Sequence, residues 1–182
     1  MAISIRKATD ADAEQLAGLI RDSVRGLAPD FYDQQQIDLS ISTVFGIDTD
    51  LIADGTYFVA EIDGELAGCG GWSMRKTLYG ASIYAESRDP ELLDPKTEAA
   101  KIRAFFVHPR AARRGVGTAL LEMCEREILE NGFSVAEMMS TMPGVPLYAA
   151  KGYTGSEHVE VPVGNGITIT CVRMSKDLKN TE

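Results

Sequence analysis

The chain is poor in the residues that build metal centres and covalent frameworks. It has three cysteines and two histidines in 182 residues. Cys69, Cys124 and Cys171 lie far apart in apolar contexts, and no Cys-x-x-Cys pair occurs. This disfavours a zinc site of Cys/His type, so no metal is expected, and the thiols read as reduced and buried. Long apolar runs are also missing. No stretch approaches the roughly 20 apolar residues of a membrane-spanning helix. Met1 to Asp12 alternates apolar and charged residues, without the apolar centre of an export signal. The expectation is a cytoplasmic protein with no membrane contact. Basic charge is scarce too: 18 Lys and Arg against 27 Asp and Glu give a net charge of −9. Such a balance argues against nucleic acid as a partner, because that binding rests on basic surface. It fits a cationic small molecule, although acidity for solubility gives the same balance. With 17 Gly and 7 Pro the chain is no collagen or low-complexity sequence, and 45% apolar residues exclude a disordered tail. What is left is one globular domain over residues 1–182, long enough to bury a core.

Strand and helix patterns alternate along it. Ile3 to Lys7 alternates like a strand. Thr9 with Asp12 forms a capping box before a helix over 10–26, whose apolar face is Leu16, Leu19, Ile20 and Val24. Pro29 ends it, and a second helix is expected from Asp33 to Phe45. Tyr57–Ile62 and Leu66–Trp72 read as a hairpin about Asp63-Gly64, with Gly68, Gly70 and Gly71 marking a bulge or close packing. Residues 77–98 lack a period and form a long connection, either a functional lid or a solvated insertion. Ala99–Val107 is a strand, Gly115–Asn131 a helix closed by Gly132, Ser134–Ser140 a strand and Pro146–Lys151 a short helix. Val159–Val163 and Ile167–Met174 make a last hairpin. The order predicts an α/β (α+β) fold with a mixed sheet.

Chemistry concentrates in Phe105 to Leu121. A strand runs into a loop carrying Arg110, Arg113 and Arg114, then Gly115-Val116-Gly117 opens a helix. Glycine lets backbone approach a ligand closely, and a helix's first turn offers unpaired N–H groups at the positive end of its dipole. Together they make an anion site, most naturally for a phosphate or pyrophosphate. With Arg103 counted, four arginines fall in this part of the chain, a local basic pocket that the global charge hides. A P-loop is absent, and the dinucleotide fingerprint fails because Leu120 stands where its third glycine belongs. On the glycines alone, an ordinary glycine-rich helix start remains open.

Ala112-Arg113-Arg114-Gly115-Val116-Gly117 resembles the signature motif of the GNAT superfamily of acetyl-CoA-dependent N-acetyltransferases, Gln/Arg-x-x-Gly-x-Gly/Ala after a strand. Ala112 stands where that motif has Gln or Arg. Tyr148-Ala149-Ala150-Lys151-Gly152-Tyr153 is similar to the superfamily's Tyr-x-x-x-Gly-Phe/Tyr segment, and Thr141 occupies a position where many relatives carry Asn. Element order matches over nearly the whole chain. The resemblance implies a largely antiparallel sheet of six to seven strands with flanking helices and a V-shaped split between central strands. It implies acetyl-CoA as co-substrate, with Phe105, Phe106 and Val107 offering main chain to pantetheine. Arg113, Arg114, Gly115, Val116, Gly117 and Thr118 would hold the pyrophosphate.

The implied reaction is direct attack of a primary amine, on a small molecule or a protein, at the thioester. An alkyl amine of pKa near ~10.4 is about 99.9% protonated at neutral pH and needs a base. The departing thiolate needs an acid, and the resemblance points to Tyr148. Glu137, in the strand beside the split, is a candidate base, though an outward charge on an alternating strand reads the same way. Glu61 is a second candidate. His108 reads as a loop residue and His158 as structural or exposed. Trp72, Tyr79 and Tyr84 are candidates to line the acceptor pocket, with Trp72 equally readable as core. A non-catalytic acyl-CoA-binding module of the same fold is the alternative. The resemblance also raises a homodimer, with 158–174 as a surface where subunits could pair.

Overall fold

Strands β1 (Ile3–Lys7), β2 (Tyr57–Ile62), β3 (Glu65–Ser73), β4 (Ala100–Val107), β5 (Val135–Thr141), β6 (Thr154–Gly164) and β7 (Ile167–Asp177) form one sheet, ordered β1-β2-β3-β4-β5-β7-β6. The computed structural model describes residues 2–81 and 88–180. Each pair of neighbours is antiparallel except β4 and β5, which run parallel. The expected mixed, largely antiparallel sheet is what the chain forms, with seven strands.

Helices α1 (Ala13–Leu27), α2 (Gln34–Thr43) and α3 (Thr49–Asp54) cover one face, while α4 (Val116–Glu130) and α5 (Val145–Ala150) cover the other. The start of α1 follows from its sequence. The Thr9 N–H donates to the Asp12 carboxylate at 2.8 Å, and Arg6 grips the same carboxylate through two bonds of 2.8 and 2.9 Å. From there Leu16, Leu19, Ile20 and Val24 recur at helical spacing and are all buried. On the other face, α4 buries Val116, Leu120, Leu121, Cys124 and Ile128, and ends at Gly132 with φ +89°. Each fully buried aliphatic side chain of this kind contributes about 1.5–3 kcal/mol. The three cysteines are free and buried, and no helix among the described residues is long and apolar enough to cross a membrane.

Two glycine expectations resolve into contacts. A Cβ on Gly68 would meet Val116 Cγ1 at 2.7 Å, so this glycine lets α4 lie close against β3. At Gly70 the ring of Phe105 occupies the space, 2.6 Å from where a Cβ would stand. The bulge lies here as well. Gly71 pairs with Arg103 and Cys69 with Phe106, so β4 carries one residue more than β3 over this span. Ala104 absorbs it with φ +57°, and the Tyr57 hydroxyl donates to the Ala104 carbonyl at 3.2 Å.

Helix α3 has no counterpart in the sequence reading. It is only six residues long and buries a single residue, Leu51, too little for a period to show. It forms because the Asp48 side chain accepts from the Leu51 N–H and Gly55 closes it at φ +72°. The last hairpin runs longer than expected. Residues Thr154 to His158 are exposed on both faces, so they carry no apolar alternation.

Candidate active site

The parallel pairing of β4 and β5 covers two positions, Ala100 with Ala136 and Lys101 with Glu137. Beyond them the strands part. Strand β5 stays paired with β7 along its whole length, and β4 stays paired with β3. The sheet is therefore split from Ile102 to the end of β4.

Ladder phase decides which groups face the split. The His108 N–H donates to the Ala67 carbonyl at 2.9 Å, so Phe106, two residues earlier, also turns its main chain toward β3. The main chains of Phe105 and Val107 face the split instead. The expectation that Phe106 offers free main chain to pantetheine is thus corrected: its side chain, not its backbone, lines the gap. The Phe105 and Phe106 rings leave opposite faces of the sheet. Phe105 meets Tyr148 edge-on at 6.2 Å, and Phe106 meets Phe45 edge-on at 5.8 Å.

A cavity of about 230 Å³ passes through the split. Its walls come from residues 102–107 of β4, residues 138–141 of β5, the end of α1, Val44, Phe45, Leu78, Tyr79 and α5. Tyr148 lies in α5 and is 7% exposed, its ring held edge-on between Phe105 and Tyr153 at 6.2 and 5.9 Å. Burial pushes its phenol well above the ordinary tyrosine value, with the Cys124 thiol adding to the effect. The hydroxyl therefore keeps its proton throughout the neutral range, the state an acid must hold before it acts.

The loop before α4 has the build of an anion cradle. Arg113 takes φ +64° and Gly115 φ +87°. The first bond of α4 is Ala119 N–H to the Gly115 carbonyl at 3.0 Å, so the N–H groups before Ala119 have no intrahelical partner. A Cβ on Gly117 would stand 2.8 Å from Leu147 Cδ2 and 3.8 Å from Val107 Cγ2. Gly117 thereby brings the first turn of α4 against the end of β4 and against α5. Arg113 is exposed and makes no ion pair among the described residues. Arg110 pairs with Glu65 at 3.2 Å, and Arg114 lies beside it on the same loop.

Arg103 leaves this basic group. It turns inward from β4 and binds Asp48, with Nε to Oδ2 at 3.0 Å and a second contact from Nη2, while Nη1 donates to the Thr77 carbonyl at 3.1 Å. Asp48 also takes Arg88, at 3.1 Å. This buried cluster ties both described ends of the long connection to α3 and β4. Nothing in the sequence marks it, because Asp48, Arg88 and Arg103 follow no common spacing. Tyr32 is a second residue the sequence leaves unmarked. Its hydroxyl donates to the Thr170 carbonyl at 2.7 Å and accepts from the Met142 N–H at 2.9 Å, pinning the turn that leads into α5.

The remaining candidates lie elsewhere. Glu137 sits at the closed end of the split and outside the cavity, bound to Lys101 and, at 2.9 Å, to Arg173. Burial alone would raise its carboxyl, but hydrogen bonds from Lys101 and Arg173 outweigh that and hold it below the usual glutamate value. A base needs the opposite shift. Glu61 pairs with Arg6 at 3.0 Å on β2. The His108 Nδ1 accepts from the Arg110 N–H at 3.2 Å, and its Nε2 lies 3.7 Å from Asp22. His158 is exposed on β6. Trp72 belongs to the core, its indole N–H donating to Glu127 at 3.0 Å. Tyr79 lines the cavity, and Tyr84 lies outside the described residues.

A family model described as the acetyltransferase (GNAT) family matches residues 21–153. Solved structures agree in fold. A GCN5-related N-acetyltransferase from Rhodopseudomonas palustris superposes with a TM-score of 0.71 at 21% identity, covering 97% of this chain and 98% of that one. The PaiA N-acetyltransferase from Thermoplasma acidophilum, solved with coenzyme A, gives 0.66 at 15% identity, covering 97% and 99%. YncA from Salmonella typhimurium, solved with acetyl-CoA, gives 0.64 at 17%, covering 100% and 97%. No curated protein matches the chain.

Proposed function

Because the chain belongs to the acetyltransferase (GNAT) family, we propose that it moves an acetyl group from acetyl-CoA to a primary amine by direct attack. One observation carries the reading: β4 and β5 pair at two positions and then part around a cavity that Tyr148 lines.

The residues present suit acetyl-CoA. The cradle from Arg113 to Thr118 offers main-chain donors to a pyrophosphate, and Gly117 leaves room where a side chain would intrude. Arg113 and Arg114 add charge there. The main chains of Phe105 and Val107 face the split, where amides of a pantetheine arm would find partners. When bound, acetyl-CoA supplies a thioester whose carbonyl carbon the amine attacks.

Each remaining role belongs to the chain. A main-chain N–H of the open part of β4 polarises the carbonyl oxygen. Tyr148, neutral and buried, gives its proton to the sulfur as the carbon–sulfur bond breaks. The ammonium gives one proton to solvent before attack, the carbon–nitrogen bond forms, the nitrogen then releases a second proton to solvent, and solvent returns one to Tyr148. Glu137 keeps the closed end of the split together through Lys101 and Arg173. The test is an acetyl-CoA-dependent assay over a panel of amines, read as thiol release and as the mass of the N-acetyl product. Thiol release that requires both substrates supports the reading. Acetyl-CoA binding with no amine acetylated would overturn it in favour of a non-catalytic acyl-CoA module.

A further inference from the structure

We infer that the acceptor is an amine borne on an apolar body, recognised by contact area rather than by ion pairing. The inference rests on the acetyltransferase reading above and names its acceptor class.

On the face covered by α1 to α3, the cavity wall is made by Val24, Leu27, Val44, Phe45, Leu78 and Ile169. These come from four different segments, and their apolar side chains meet at one place. The charged side chain of the described lining and two of its hydroxyls, those of Tyr32 and Ser140, are already engaged within the protein. Arg103 is the one charged side chain among the described lining residues. Its Nε and Nη2 are spent on Asp48 and its Nη1 on the Thr77 carbonyl, and its side chain is only 2% exposed. A carboxylate on the acceptor could win that guanidinium only by displacing Asp48, itself 1% exposed, from a buried pair. The single proton of the Tyr32 hydroxyl is committed to the Thr170 carbonyl at 2.7 Å. The Ser140 hydroxyl bonds the Thr141 carbonyl at 2.8 Å. A second cation on the acceptor, as in a polyamine, would enter an apolar wall and lose its hydration without a counter-charge. The net charge of −9 thus acts outside this wall.

Calorimetric titration with n-alkylamines from propyl to octyl, benzylamine, spermidine and glutamate tests this, with CoA present and absent. Affinity is expected to tighten about fourfold per methylene until the cavity is filled. Benzylamine should bind more than tenfold tighter than spermidine or glutamate, and kcat/KM with acetyl-CoA should follow the same order. Phe45→Ala should weaken benzylamine about tenfold and leave the CoA-induced rise in melting temperature unchanged. A flat alkyl series, or a preference for spermidine or glutamate, overturns the inference while leaving the acetyltransferase reading intact. Absence of any CoA-induced rise counts against the acetyltransferase reading instead, and the amine titrations without CoA then still decide the inference.

Discussion

Replacing Tyr148 by Phe removes one oxygen and little else. The ring is 7% exposed and held edge-on by Phe105 and Tyr153 at 6.2 and 5.9 Å, contacts that phenylalanine keeps. Stability should change by less than about 1 kcal/mol, the net worth of a typical hydrogen bond. Catalysis should change far more. A positioned acid contributes about 10²–10⁴ in rate, or roughly 3–5 kcal/mol at the barrier. The pH profile adds a second reading. Because burial lifts the phenol well above its ordinary value, the Tyr148 hydroxyl stays protonated from about pH 6 to 9. Loss of the acid form should therefore not appear as a falling limb within that range. The assay is kcat for thiol release from pH 6 to 9, for both proteins, with melting curves to verify folding. Equal kcat in the folded variant, or a falling limb near pH 8 that the variant abolishes, would refute the assignment of Tyr148 as the acid.

Three further outcomes are expected. Asp48→Ala leaves Arg103 buried without its partner, which should cost about 3–5 kcal/mol and lower the melting temperature by roughly 6–20 °C. A drop under about 2 °C would show that the cluster is not structural. Gly117→Val places a Cβ 2.8 Å from Leu147 Cδ2, so it should destabilise by about 1–3 kcal/mol and raise KM for acetyl-CoA more than KM for the amine. Asp12→Asn tests the α1 start. Hydrogen bonding by Arg6, opposed by burial and helped by the Thr9 N–H, lowers the Asp12 carboxyl from 3.8 to about 2. A lowered folded value stabilises above the unfolded pKa, and the benefit is lost as pH falls through the folded one. With Arg6 itself 43% exposed and screened, about 1 kcal/mol should separate the two proteins above pH 4, shrinking to nothing near pH 2. Chemical unfolding at a series of pH values reads this directly.

The sequence shows the frame of this molecule well, for physical reasons. Helix α1 has a capping box and four apolar residues in register, so its period stands out. The Gly115-Val116-Gly117 turn is legible because glycine there serves backbone geometry, at Gly115 a φ of +87° and at Gly117 a close approach to Leu147. What escapes the sequence depends on distant residues meeting. Arg103 reads as one more cation beside the phosphate loop, yet the Ala104 bulge and the burial of Asp48 turn it the other way. Glu137 reads as a carboxylate beside the split, but partners on β4 and β7 claim it. Phe106 changes role because one hydrogen bond from His108 sets the ladder phase, and no residue spacing encodes that.

The proposed chemistry requires the split between β4 and β5 to bind coenzyme A. A thermal melt with CoA tests it most directly, with NAD and ATP as controls. A ligand at one hundred times its Kd adds about 2.7 kcal/mol, which should raise the melting temperature by roughly 5–10 °C for a chain of this size. That rise is expected with CoA and acetyl-CoA, reduced in Gly117→Val, and none with NAD or ATP. No rise at saturating CoA, or an equal rise with ATP, would contradict it.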